Sequence, residues 1–509
     1  MHNVGMSPNA NLFVALRDAF PADRSAVAIE TTDDAPLHYR FDDLDRATAR
    51  LANLLDSLDL PPGSRVAAHV DKSVEALLLY LAVLRAGFVY LPLNPAYQTA
   101  ELAHFLQDAE PAVVVCGARN FGWVSKLAFT SGVGHVFTLD PDRTGTLLDR
   151  AAHHGDDHAP AVRAADDLAV ILYTSGTTGR SKGAMLTHGN MLANARTLKD
   201  VWQWRPGDVL VHALPIFHIH GLFVACHGAL LNGSRMLWFD RFEPGRVLAR
   251  FADATVFMGV PTLYVRLLAE PGLTADACRS MRLFISGSAP LLPDTFREWQ
   301  RRTGHTLLER YGMSETVMLT SNPVDGERRP GTVGRPLPGV DVRIAAPDAD
   351  SGNGGIEVRG PNVFAGYWRL PEKTREEFTA DGWFKTGDVG RFDADGYLQI
   401  VGRAKDLVIS GGFNVYPAEV EATMDDLPGV AETAVIGVPH PDFGEAVVAV
   451  VVPRPGASLD PAALVGAVKA RLANFKVPKQ VIVVDDLPRN AMGKVQKKVL
   501  RDRHAGLFG

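Results

Sequence analysis

At 509 residues, with 46% hydrophobic and 22% charged side chains, the chain has material for two or more globular units with large cores. A net charge of -6 excludes a general nucleic-acid binder, which would be basic, although a local basic pocket stays open. Cys116, Cys226 and Cys278 show no CxxC spacing, which predicts buried thiols in a reducing cytoplasm and neither a disulfide frame nor a zinc site.

The start, "MHNVGMSPNANLF", lacks the basic-then-apolar layout of a secretory signal. "RVAAHV" predicts a strand, "SVEALLLYLAVLRAG" a helix stopped at Gly87, and "FVYLPL" a second strand. This greasiest stretch is broken by Arg85, Gly87 and Pro92, whereas a membrane span needs about 20 uninterrupted apolar residues, so no membrane partner is expected. "AELAHFLQDAE" reads as helix and "AVVVCG" as strand, and strands follow at "DVLVHALP", "SRMLWF", "ATVFMGV" and "MRLFISG". Helices alternating with short β-branched runs predict an α/β fold of parallel sheets covered by helices. "HHGDDHAPAVRAADD" reads as a surface loop. Beyond Gly402 the pattern changes. A glycine-rich turn and the helix at "PAEVE" lead to strands "ETAVIGVP" and "EAVVAVVVP", a helix through "LVGAVKARLANF" and the strand "QVIVVDD". These make an α+β unit of about 100 residues. The expected division is 1–402, a link at 403–405, and 406–509.

Between the surface loop and the strand at 209 stands "ILYTSGTTGRSKG", Ile171 to Gly183. Backbone N–H groups in a glycine-rich turn make a nest for anionic oxygens, and hydroxyls with one ammonium add charge-assisted bonds. The spacing is not that of a P-loop: Gly176 and Gly179 are three apart, and Gly183 follows Lys182 where Ser or Thr should stand. Composition alone leaves both a phosphate cradle and a structural turn open.

The stretch resembles the signature loop of the adenylate-forming superfamily, which comprises acyl-CoA synthetases, peptide-synthetase adenylation domains and luciferases. Further motifs follow in that superfamily's order: "LPIFHIHG", "SGSAPL", "ERYGMSET", "GWFKTGDVG", "GRAKDLVISGG" and "PRNAMGKVQK". The resemblance implies a large N-terminal domain of packed sheets and helices with a small mobile C-terminal lid. It also implies a two-step reaction. A carboxylate attacks the α-phosphate of ATP, with Mg²⁺, to give an acyl-adenylate and pyrophosphate; coenzyme A then displaces AMP.

Site residues follow from the same resemblance. Thr174, Ser175, Gly176, Thr177, Thr178, Gly179 and Lys182 would hold the β- and γ-phosphates. Ser288, Ala289 and Pro290, with Glu309, Tyr311, Gly312, Met313 and Ser314, would surround the nucleotide, Tyr311 stacking on adenine and Ser314 reaching the α-phosphate. Glu315 would ligate Mg²⁺, a cation that takes hard oxygen donors. Asp388 and Arg403 would meet the ribose or phosphates, Lys405 would be the hinge, and Gly411 and Gly412 would let pantetheine approach. Lys494 would neutralise charge at the α-phosphate, the kind of preorganised stabilisation that is worth roughly 3 to 4 kcal/mol; it also fits an ordinary surface lysine, since Lys497 and Lys498 follow. Acetylation of that lysine occurs in the family, which implies a lysine acetyltransferase and deacetylase as partners.

Two arginines set the substrate. Arg310 precedes the stacking tyrosine where relatives commonly carry a small or neutral residue, and Arg266 sits in the helix "VPTLYVRLLAE" that lines the acyl pocket in the family. Both have plainer readings: an ion pair of Arg310 with Glu309, and a snorkelling surface Arg266. Arg282 is a third, more remote candidate. Arg266, Ser288 and Arg310 resemble the positions with which the malonate-activating members of the superfamily, which also accept methylmalonate, grip the distal carboxylate, and His218 would wall the pocket beside the reacting carboxylate. Met313 and Phe217 would close a short pocket. The alternatives are a short-chain or aromatic acyl-CoA synthetase and a carrier-protein-loading adenylation enzyme; no Gly-x-Asp-Ser carrier motif follows Lys494.

Overall fold

A computed structural model of the chain describes residues 9–174, 181–349, 351–410, 413–472, 474–490 and 493–509. Two compact units emerge. The first comprises Met1–Pro330, Arg335–Asp341 and Arg359–Gly382; the second comprises Gly331–Gly334, Val342–Val358 and Trp383–Gly509. The second begins ahead of the link expected at 403–405, taking in the strands Phe384–Phe392 and Leu398–Arg403, so that Lys405 lies within it.

The first unit holds a nine-stranded and a seven-stranded sheet. In the nine-stranded sheet, Leu308–Tyr311, Leu283–Ser286, Val256–Gly259, Val209–His212, Arg235–Trp238 and Val27–Thr31 run parallel in that spatial order. In the seven-stranded sheet, Leu168–Thr174, Val89–Pro92, Arg65–His69, Val113–Cys116 and His135–Thr138 do the same. Parallel strands buried on both faces read as continuous apolar runs, which is why "AVVVCG" and "ATVFMGV" carry no alternation. Antiparallel strands close the edges, among them Lys182–Thr187 and Gly366–Tyr367, which sequence periodicity is too short to reveal.

The helix Val74–Arg85 is apolar around its circumference and every one of its residues is buried. Ser73 Oγ accepts the Ala76 N–H at its start, and Gly87, at φ +76°, turns the chain into the next strand. Arg85 is carried into this core by its ion pair with Asp45 at 2.7 Å.

In the second unit, one sheet has the order Asp341–Ala345, Gly354–Arg359, Phe384–Phe392, Leu398–Arg403. Another is built on the long antiparallel pair Val430–His440 and Gly444–Pro453, with Gln480–Val483 parallel beside it. Pro417 opens the helix Pro417–Asp425, where a missing N–H costs nothing. The helix expected through "LVGAVKARLANF" is shorter, Pro461–Lys469.

Candidate active site

Ser288, Arg310 and Tyr311 of the first unit lie at or just beyond the carboxyl ends of neighbouring parallel strands, where α/β sheets bind ligands. Ser286 ends one strand and leads into Gly287 and Ser288, while Arg310 and Tyr311 end the neighbouring strand. Ser288 adopts φ +72°, a left-handed conformation rarely taken by a residue with a side chain, and its Oγ lies 3.3 Å from His220 Nδ1. His220 opens a seven-residue π-helix, His220–Cys226, of the kind often found at functional sites. Sequence reasoning singled out His218, whose Nδ1 accepts the His220 N–H at 3.2 Å, and overlooked His220 itself. Burial, then the nearby Arg310 charge, pushes the His220 pKa well below the usual value, so the imidazole is neutral; its Nε2 is buried without a partner among the described residues.

Arg310 is 3% exposed, and its Nε and Nη2 are buried without hydrogen-bond partners among the described residues. Burial lowers its pKa to about 9, which leaves it cationic at neutral pH. Glu309 does not neutralise it. Burial raises that carboxyl to about 8 against the opposing effects of the Leu291 N–H, which its Oε1 accepts at 3.2 Å, and of Arg310. A buried guanidinium with two spare donors is the requirement for a carboxylate ligand, since leaving it bare costs solvation that an anion would return. Arg266 differs: it is exposed, its guanidinium 5.0 Å from the Phe242 ring centroid. Arg282 is engaged with Asp208, Nε to Oδ1 at 2.8 Å.

The strands Leu168–Thr174 and Lys182–Thr187 that flank the glycine-rich stretch pair antiparallel, with Thr174 opposite Lys182. Ser175, Gly176, Thr177, Thr178 and Gly179 lie outside the described residues, as do Gly411 and Gly412. Lys182 is 9% exposed; its Nζ sits 3.6 Å from Glu377 Oε1 and 4.2 Å from the Tyr367 ring centroid. Glu315 is buried and its Oε1 accepts the Tyr367 hydroxyl at 2.9 Å. Burial, then the Glu315 charge, pushes the phenol pKa well up, which keeps the hydroxyl a donor. Val317 nearby holds φ +54°, a strained conformation for a β-branched residue, just after the turn at 314–316. A single buried carboxylate oxygen donor suits Mg²⁺, which takes one or two protein carboxylates and completes its shell with phosphate and water. Among the described residues no cluster of three or more His, Cys, Asp or Glu suggests a dedicated metal cage.

In the second unit Asp388 stands opposite Arg403 across an antiparallel pair, Arg403 Nε to Asp388 Oδ1 at 2.9 Å. Lys494 is exposed; loss of solvation, reinforced by Arg403 and opposed by Asp388, lowers its pKa to about 8. Burial likewise lowers Lys405, with the Arg403 charge adding to it.

Comparison with known proteins places this geometry. The family model described as AMP-binding enzyme matches residues 17–368, and its C-terminal domain matches 419–494. The chain is 36% identical over 472 residues to the malonate–CoA ligase of Arabidopsis thaliana, covering 86% of this chain and 78% of that protein. It is 37% identical over 472 residues to a feruloyl-CoA synthase of an Amycolatopsis species, covering 91% and 93%. The crystal structure of ATP-bound MatB from Rhodopseudomonas palustris superposes with a TM-score of 0.95 at 54% identity, over 98% of this chain and all of that one.

Proposed function

The chain belongs to the AMP-binding enzyme family, and from that premise we propose that it is an ATP-dependent malonate:CoA ligase that also takes methylmalonate. One observation carries the substrate: the Nε and Nη2 donors of Arg310, buried, cationic and unmatched by Glu309. A dicarboxylate supplies the missing anion while its other carboxylate reacts. Ser288, His218 and His220 wall the same strand ends.

In the first half-reaction, a malonate oxygen forms a bond to the α-phosphorus of ATP and the bond to the pyrophosphate oxygen breaks. Thr174, Lys182 and the intervening loop hold the departing phosphates, Tyr311 stacks on adenine, and Asp388 and Arg403 hold the ribose side. Lys494 gathers negative charge at the α-phosphate, stabilisation that a water-poor site magnifies. Glu315 would hold Mg²⁺, whose contribution when bound is to offset phosphate charge. In the second half-reaction the coenzyme A sulfur bonds to the acyl carbon and the bond to AMP breaks, with Gly411 and Gly412 beside the pantetheine and Lys405 as the hinge between the two arrangements. Acetylation of Lys494 would switch off the first half alone.

We place the enzyme in the cytoplasm, in keeping with three buried cysteines outside any disulfide; no helix among the described residues is long and apolar enough to cross a membrane. The testing experiment is acid-dependent ATP–pyrophosphate exchange with malonate, methylmalonate, acetate, succinate and benzoate, followed by addition of coenzyme A. Exchange led by malonate and completed to a thioester supports the reading. Exchange led by benzoate or acetate keeps the adenylate chemistry and overturns the dicarboxylate pocket.

A further inference from the structure

We propose that Tyr367 is the positioning residue of the phosphate and metal end of the site, its hydroxyl fixing the Glu315 carboxylate while its ring face seats the Lys182 ammonium. The inference rests on the reading of Glu315 as the Mg²⁺ ligand and of Lys182 as a phosphate ligand.

Tyr367 is anchored by contacts other than those of its hydroxyl and ring face with Glu315 and Lys182. Its backbone pairs with Ala184 on the strand that begins at Lys182, and the neighbouring Trp368 N–H donates to Gly183 O at 2.7 Å. The Tyr367 N–H donates to Thr374 Oγ1 at 2.9 Å. Gly366 before it holds φ +131°, and a Cβ there would stand 2.7 Å from Thr374 Cγ2, so the approach is fixed by a residue only glycine can be. The residue is 4% exposed and its ring packs edge-on against Phe364, 4.9 Å between centroids. Phe364 in turn donates its N–H to Glu315 O at 2.8 Å. Tyr367 therefore has little freedom, and what it touches inherits that order.

The two contacts use different parts of one ring. The hydroxyl donates to Glu315 Oε1 at 2.9 Å, and the π face carries Lys182 Nζ at 4.2 Å. A carboxylate and an ammonium left adjacent would tend to collapse into an ion pair and be lost to a ligand. On Tyr367 the two charges take different sites, the hydroxyl for Glu315 and the ring face for Lys182, while Glu377, 3.6 Å from Lys182 and 3.1 Å from Lys373, is shared between the two lysines. An approaching phosphate meets a lysine held on a soft aromatic face and a carboxylate already oriented. Preorganisation of this kind lowers the cost of binding and needs no new contact to ligand.

The test is calorimetric titration of ATP into the full-length protein without any acid substrate, with Mg²⁺ and separately with EDTA, so that no turnover is involved. Tyr367→Phe keeps the ring and removes only the hydroxyl. It should weaken ATP binding about 10-fold with Mg²⁺, the scale of one lost hydrogen bond to a charged group, and leave binding in EDTA unchanged. Tyr367→Leu removes the face as well and should weaken binding in EDTA too. Glu315→Gln is the control on the underlying reading and should erase the Mg²⁺-dependent gain. Loss of that gain in Glu315→Gln with wild-type behaviour of Tyr367→Phe would overturn the role of Tyr367 alone. An intact gain in Glu315→Gln would overturn the metal reading and this inference with it. An equal loss in both buffers for Tyr367→Phe, with a lowered melting temperature, would reduce Tyr367 to a structural residue and overturn the inference.

Discussion

The Arg310 guanidinium lies directly on the Cα of Gly287: a Cβ at position 287 would stand 2.6 Å from Arg310 Cζ and Nη1 and 2.7 Å from Nε. The arginine owes its place to the absence of a side chain on the adjacent strand end. Gly287→Ala should therefore push the buried guanidinium out of line. Since one charged hydrogen bond is worth about 1.5 to 3 kcal/mol, kcat/KM for malonate should fall about 10-fold or more. Steady-state kinetics with malonate and acetate check this; an equal fall for acetate would mean that the loop, and not the arginine, was disturbed.

Glu309 makes the pocket pH-dependent. Its carboxyl is raised from 4.5 to about 8, so across that interval the folded protein keeps a proton the unfolded chain has lost. This group's contribution to stability therefore declines as pH rises through the interval. Above about pH 8 the carboxylate forms and competes with malonate for Arg310. The KM for malonate should rise there, and Glu309→Gln should remove the rise. A KM–pH profile identical in the two proteins would contradict the assignment.

Lys494 belongs to one half-reaction. Lys494→Ala, or an acetyl group on this lysine, should cut malonate-dependent ATP–pyrophosphate exchange about 100-fold or more, the effect of losing a preorganised donor, and spare thioester formation from supplied malonyl-adenylate. Loss of both halves would contradict this division.

Arg266 lies on the exposed face of its helix. Exposed and resting on Phe242, it should tolerate Arg266→Ala with a change in malonate kcat/KM of no more than about 0.5 kcal/mol, the usual scale for surface substitutions. A loss comparable to that of Arg310→Ala would restore it to the pocket.

These residues show what the sequence could carry. Continuous apolar runs announced the strands Val113–Cys116 and Val256–Gly259, and Gly87 marked the end of the helix Val74–Arg85. Long motifs singled out Lys182, Glu315 and Arg310, which the structure shows buried. Side-chain direction was harder. In the helix Pro261–Leu268, Tyr264 and Leu267 are buried while Val265 and Arg266 are exposed, a three-residue spacing that was legible but outweighed by the motif. His220, Gly287 and Tyr367 went unremarked because their importance lies in contacts between distant segments: His220 with Ser288, Gly287 with Arg310, Tyr367 with Glu315. No local pattern encodes such pairs.

The most direct test is the kcat/KM of Arg310→Ala for malonate. Truncating one partner of a buried charged interaction costs about 2 to 5 kcal/mol, so the value should fall at least about 30-fold, with acetate-dependent exchange unharmed. An Arg310→Ala protein that folds and turns over malonate like the wild type would contradict the account.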